Sequence, residues 1–68
     1  MKISVRITKT NETKKIILER GSTVEDLLKK INVKPDTIIV MSKDKPIPVD
    51  DVLDENQELI ILQVASGG

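Results

Sequence analysis

Apolar residues in this chain alternate, switch to a helical spacing, and then alternate again. In residues 2–8, K-I-S-V-R-I-T, Ile3, Val5 and Ile7 fall on one face and Lys2, Ser4 and Arg6 on the other. That period of two predicts a half-buried strand. Residues 9–13 are polar and of hairpin length. A second strand is predicted over 14–19, with Ile16 and Leu18 inward and Ile17 outward, broken by Arg20-Gly21-Ser22.

The spacing then changes. Val24, Leu27, Leu28 and Ile31 stand at i, i+3, i+4 and i+7, which makes one apolar stripe of a helix. Thr23 precedes Asp26 by three residues, the spacing of a capping box, and Ser22 precedes Glu25 in the same way. Glu25 and Asp26 fall at the positive end of the helix dipole, Lys29 and Lys30 at the negative end. Asn32 is the expected stop, and Pro35 prevents the helix from resuming. So short a helix must be held by the sheet rather than by its own propensity.

The β-branched run at 37–41 predicts a third strand, and Lys43-Asp44 a turn. Residues 45–48 allow only a short edge strand, because Pro46 and Pro48 lack ladder donors. Residues 49–57 read as a compact turn or a single helical turn, with Val52 and Leu53 buried. The final run at 58–64, E-L-I-I-L-Q-V, is nearly all apolar, which predicts a central strand. The order of elements gives an α+β domain: a mixed sheet of four to five strands with one helix packed across a face. The last strand is expected beside the first and parallel to it.

Composition removes whole classes of chemistry. The 68 residues contain no Cys, His, Phe, Tyr or Trp. No disulfide or thiolate metal site is available, and the usual zinc ligand and neutral-pH proton shuttle are missing. No nucleophile–base pair or metal cluster can be assembled from what remains, so the chain is not expected to be an enzyme or to bind a cofactor. Eleven basic residues balance eleven acidic ones. With no net field and no aromatics to stack bases, neither nucleic acid nor an anionic membrane is an expected partner, despite Lys14-Lys15 and Lys29-Lys30. Asp50, Asp51 and Asp54 lack the spacing and glycine of a calcium loop and read as a solvated acidic turn. No apolar run could span a bilayer and no signal-peptide pattern opens the chain, so a soluble, cytoplasmic monomer is expected.

The chain ends Ala65-Ser66-Gly67-Gly68. Two terminal glycines cannot pack, and they lose the most freedom on ordering, so residues 65–68 are expected to form a flexible tail beyond a domain of residues 1–64. They present an unhindered α-carboxylate, an anion at neutral pH and a nucleophile towards an activating phosphate. With Gly at about 7% of residues, a chance Gly-Gly end occurs in roughly one chain in two hundred. The body of the chain must therefore corroborate the motif.

It does so by resemblance. The opening hairpin, the helix beginning Thr23-Val24-Glu25-Asp26-Leu27-Leu28, the hairpin Met41-Ser42-Lys43-Asp44-Lys45-Pro46-Ile47-Pro48 and the strand leading to Gly67-Gly68 resemble the β-grasp of ubiquitin. They also resemble the sulfur carriers of thiamine and molybdopterin synthesis and the small archaeal modifier proteins. The likeness covers essentially the whole chain. Molybdopterin-type carriers usually have an aromatic and prolines before their glycines, and ubiquitin has arginines; Val64-Ala65-Ser66 has none of these, so the branch stays open. The resemblance implies a partner, an E1-like activating enzyme, that uses ATP and magnesium to adenylate the Gly68 carboxylate. The product would then become a thiocarboxylate for a sulfur-accepting synthase, or be joined to target-protein lysines as an isopeptide. Gly67 and Gly68 would be the reactive end, with Ser66 and Ala65 as the leash. The competing reading is a passive interaction module whose glycines are incidental.

A second candidate site follows from strand alternation. If Ile38 and Val40 face the helix, Ile39 and Met41 face away. Likewise Leu59 and Ile61 point inward, and Ile60, Leu62 and Val64 outward. Ile39, Met41, Ile60, Leu62 and Val64 would then form an apolar docking patch running towards the tail.

Overall fold

Each hydrophobic period is realised as the element it predicts. The computed structural model describes residues 1–64. It contains β1 (Lys2–Ile7), β2 (Glu12–Ile17), α1 (Val24–Lys30), a short 3₁₀ turn (Pro35–Thr37), β3 (Ile38–Ser42), β4 (Lys45–Pro46) and β5 (Glu58–Gln63). The five strands form one sheet in the order β2-β1-β5-β3-β4. Strands β1 and β2 are antiparallel, β5 lies parallel to β1, and β3 is antiparallel to both β5 and β4. The final apolar run is therefore the central strand, as its composition requires.

Alternation places Ile3, Val5, Leu59, Ile61, Ile38 and Val40 on the covered face. There they meet Val24, Leu27 and Leu28 of α1, with Leu18 and Leu53 completing the buried core. Ile3, Val5, Val24 and Leu27 are fully buried. Among the described residues no buried polar side chain interrupts this core. Its stability rests on burial of aliphatic surface, at about 25 cal/mol per Å2.

The helix has only seven residues, and both of its ends are satisfied by specific partners. At the N-terminus, Thr23 and Asp26 form the capping box. The Asp26 amide donates to Thr23 Oγ1 at 3.3 Å, and the Thr23 amide donates to Asp26 Oδ2 at 2.9 Å. The next orphan donors are met from the chain that follows β4: the Val24 amide donates to the Asp51 carbonyl at 3.0 Å and the Glu25 amide to the Val49 carbonyl at 2.8 Å. At the C-terminus, Asn32 takes φ 61°. The Asn32 amide donates to the Lys29 carbonyl and the Val33 amide to the Leu28 carbonyl, the paired bonds of a Schellman stop.

The structure departs from the sequence reading in several places, and β2 ends at Ile17 rather than 19. Strand β2 begins at Glu12 rather than 14, because pairing continues through Arg6↔Thr13 and Ile7↔Glu12. Asn11, at φ 56°, helps close the shorter turn. On a sheet edge such polar residues pair without having to be buried. Thr37 closes the 3₁₀ turn instead of opening β3. Residues 49–57 contain no helical turn; they run beneath the N-terminus of α1, with an isolated bridge between Thr23 and Val52. In consequence Val52 is 59% exposed, not buried, while Leu53 is 3% exposed. In an extended segment adjacent side chains face opposite ways, and the Leu53 amide bond to the Ser22 carbonyl selects Leu53 for the core.

Two carboxylates tie this loop and the helix to the rest. The Thr23 backbone amide, helped by its hydroxyl and by Lys29, holds Asp26 below the ordinary aspartate range despite some opposing desolvation. The Lys2 amide, 2.8 Å from Glu55 Oε2, does the same for Glu55, with the N-terminal ammonium adding to it. A carboxyl depressed on folding stabilises above its unfolded pKa, and that stabilisation is lost as pH falls through the folded value. The acid limb should therefore lie below about pH 4. In Asp26→Asn/Glu55→Gln, thermal melts should show a smaller fall in Tm on acidification than in the parent. Separately, Leu27→Ala should cost about 2–5 kcal/mol in urea unfolding, a large part of the roughly 5–15 kcal/mol that a domain possesses.

Candidate functional site, the open face of the sheet

Strand β5 carries apolar side chains on both faces, and this creates the site. Leu59 and Ile61 are consumed by the core, which leaves Ile60 and Leu62 on the face that no helix covers. Cross-strand register brings the other candidates to them. Met41 pairs with Ile60, and Ile39 with Leu62. One row crosses all five strands, reading Thr13, Arg6, Ile60, Met41 and Pro46. Val64 continues the Ile60–Leu62 alternation, and its amide donates to the Thr37 carbonyl at 3.0 Å. Ile39 is 42% exposed. Met41, Ile60, Leu62 and Val64 are half-buried, shielded by one another and by neighbouring strands. All five patch residues named from the sequence thus share one face.

The register adds two residues that alternation within single strands could not supply. Arg6 sits beside Ile60 on one side, and Pro46 beside Met41 on the other. Both were visible as outward or edge residues, but their place in the row depends on pairings between distant segments.

The same face carries a depression of about 720 Å3 bordered by Ser4, Arg6, Ser42, Gln57, Glu58 and Ile60. Ser4 pairs with Glu58 at the beginning of β5, so this hollow lies at the end of the face away from Val64. Its floor is fixed by Gln57, whose Oε1 accepts from the Asp54 amide at 2.8 Å and whose Nε2 donates to Ser42 Oγ at 3.1 Å. The hollow and the apolar row meet at Ile60.

Ala65, Ser66, Gly67 and Gly68, assigned from the sequence to the leash and the reactive end, lie outside the described residues. What is described is the base from which they continue. Val64 stands at the end of β5 where Thr8 donates to the Ile61 carbonyl and where Thr37 closes the 3₁₀ turn. Among the described residues no group of three or more acidic, His or Cys side chains is placed to hold a metal ion. No helix among them is long and apolar enough to cross a membrane. The chemistry available on this face is recognition through apolar contact, edged by the Arg6 cation.

Comparison with known proteins agrees with this architecture. The family model of small archaeal modifier protein 2 matches residues 1–65. The chain belongs to that family. An uncharacterized protein of Archaeoglobus fulgidus is 28% identical over 68 residues, covering all of both chains. The crystal structure of SAMP1 from Haloferax volcanii matches with a TM-score of 0.76 over the full length of both chains, at 16% identity. At that identity the likeness shows the fold alone, and the fold is the ubiquitin-like β-grasp. The branch left open by the tail residues is thus the small archaeal modifiers, and this modifier presents its open sheet face beside the root of its C-terminal segment.

Because Met41 and Leu62 are half-buried on the open face and absent from the core, a charge at either should be tolerated. Met41→Asp and Leu62→Asp are expected to melt cooperatively, with native-like circular dichroism and a stability loss of about 1 kcal/mol or less. Outright unfolding of both would mean that these side chains belong to the core.

Proposed function

We propose that this small archaeal modifier works as a co-substrate whose Gly68 carboxylate is activated by an E1-like enzyme using ATP and magnesium. The observation that carries the reading is the place of β5: the strand that contributes Ile60 and Leu62 to the outward apolar patch is also the one that precedes the Gly-Gly end in sequence. A partner docked on Ile39, Met41, Ile60, Leu62 and Val64 would hold the chain beside the carboxylate it must activate. Family membership supports the same reading.

A Gly68 carboxylate oxygen attacks the α-phosphorus of ATP, the bond to the β-phosphate oxygen breaks, and pyrophosphate leaves. The resulting acyl-adenylate is open to two nucleophiles. A hydrosulfide-level sulfur displaces AMP to give a thiocarboxylate, which can serve a sulfur-accepting synthase in thiamine, molybdopterin or tRNA thiolation. A target lysine amine displaces AMP, with loss of a proton, to give an isopeptide. With neither His nor Cys in the chain, acid–base work and phosphate handling are assigned in this reading to the partner. Gly67 and Gly68, without Cβ atoms, suit a narrow entrance, and Ala65 and Ser66 are small enough to follow.

Deleting Gly67 and Gly68 should leave Tm essentially unchanged and abolish ATP–pyrophosphate exchange with the activating enzyme of the source organism. Exchange that persists in the truncated chain would leave the passive interaction module as the better reading. Met41→Asp should retain the fold and raise the KM of the chain in the same assay.

A further inference from the structure

The chain is neutral overall, but the fold separates its charges along the strand direction. Helix α1 starts beside the beginning of β1, since the Leu53 amide donates to the Ser22 carbonyl and the Asn56 amide to the Lys2 carbonyl. The last turn of the helix and the 3₁₀ turn therefore lead back to the opposite end, where Val64 bonds to Thr37. The β1–β2 turn lies at that end too, because Ile7 pairs with both Glu12 and Ile61. Segments 8–12 and 29–37, which frame the root of the tail, contain Lys9, Lys29, Lys30 and Lys34. Of the eleven acidic residues in the chain, only Glu12 and Asp36 fall within them. The other nine lie elsewhere, among them Asp44, Asp50, Asp51, Asp54, Glu55 and Glu58. One of these basic residues is partly neutralised: Lys29 leans on Glu25 at 3.4 Å. Lys9, Lys30 and Lys34 are exposed and form no ion pair among the described residues.

We propose that this basic end is an electrostatic docking surface for an acidic rim around the nucleotide-site entrance of the activating partner. The inference rests on the activation reading above and adds the element of recognition that steers the tail. Chain length makes it specific. Residues 65–68 span at most about 14 Å when fully extended, so whenever the Gly68 carboxylate reaches the nucleotide, the lysines that frame Val64 stand close to the mouth of that site. The Debye length in physiological salt is about 8 Å, so opposite charges on the rim would be felt only at this close approach. Nucleic acid is a poorer match, because the chain offers no aromatic side chain on which a base could stack. Lys9 and Lys34 lie on opposite sides of the tail root, one in the β1–β2 turn and the other preceding Pro35. They are the natural orienting pair.

The experiment is ATP–pyrophosphate exchange by the activating enzyme of the source organism, with the full 68-residue chain as varied substrate and salt as a second variable. Lys9→Glu/Lys34→Glu should keep the parent melting curve and kcat, raise KM about tenfold at low salt, and flatten its salt dependence. Lys43→Glu/Lys45→Glu makes the same change of charge at the far end of β3 and should move KM by less than about threefold. Equal effects of the two pairs, or a parent KM indifferent to salt, would overturn the proposal while leaving activation intact. No exchange with the parent chain would remove the activation reading and this inference together. If sedimentation instead showed salt-sensitive self-association abolished by Lys9→Glu/Lys34→Glu, with KM unmoved, the basic end would belong to a second copy and the proposal would fail.

Discussion

The parallel pairing of β5 with β1 is the constraint on which the molecule turns. With β5 between β1 and β3, its alternate residues are apolar on both faces: Leu59 and Ile61 serve the core, and Ile60 and Leu62 lie on the open side. Inner strand β1, by contrast, carries Lys2, Ser4 and Arg6 on that open face. The same placement sends the chain out of the sheet centre at Val64, between the β1–β2 turn and the 3₁₀ turn. The open apolar face, the root of the tail and the basic residues around it are consequences of one pairing.

That pairing needs a crossover, and the crossover explains why so short a helix is stable. Seven residues are too few to hold a helix by propensity alone. Here α1 buries Val24, Leu27 and Leu28, has its ends fixed by a capping box and a Schellman stop, and receives two carbonyls from residues 49 and 51. The loop that returns the chain to β5 thus doubles as the cap of the helix N-terminus. Glu55 fastens the same loop to the first amide of β1. An aliphatic core without aromatics is closed by backbone hydrogen bonds at its rim rather than by large side chains.

Function follows from what the fold leaves uncovered. The helix shields one face of the sheet, and the other presents a row that is apolar through Ile60 and Met41 and flanked by Arg6 and Pro46. In the proposed reading, apolar surface supplies affinity, while charge placed near the tail supplies orientation. In that reading a chain with neither Cys nor His takes a defined part in chemistry performed by another.

Much of this was legible in the sequence, because it depends on local periodicity. Alternation in residues 2–8, 37–41 and 58–64, the Thr23–Asp26 box and the stripe Val24, Leu27, Leu28 pointed to the main elements, the covered face and the five patch residues. The absence of Cys and His, together with Gly67-Gly68, directed attention to the C-terminus. Tertiary structure decided what no local window contains. Val52 and Leu53 are adjacent and equally apolar, and only the bond from Leu53 to Ser22 determined which one enters the core. Glu12 and Thr13 look like loop residues and become strand because β1 is there to pair with them. The charges sum to zero along the chain, and only the crossover, by bringing segments 8–12 and 29–37 to one end, gathers Lys9, Lys29, Lys30 and Lys34 there. Periodicity is a property of neighbouring residues; register and charge separation are properties of segments that meet only in the folded chain.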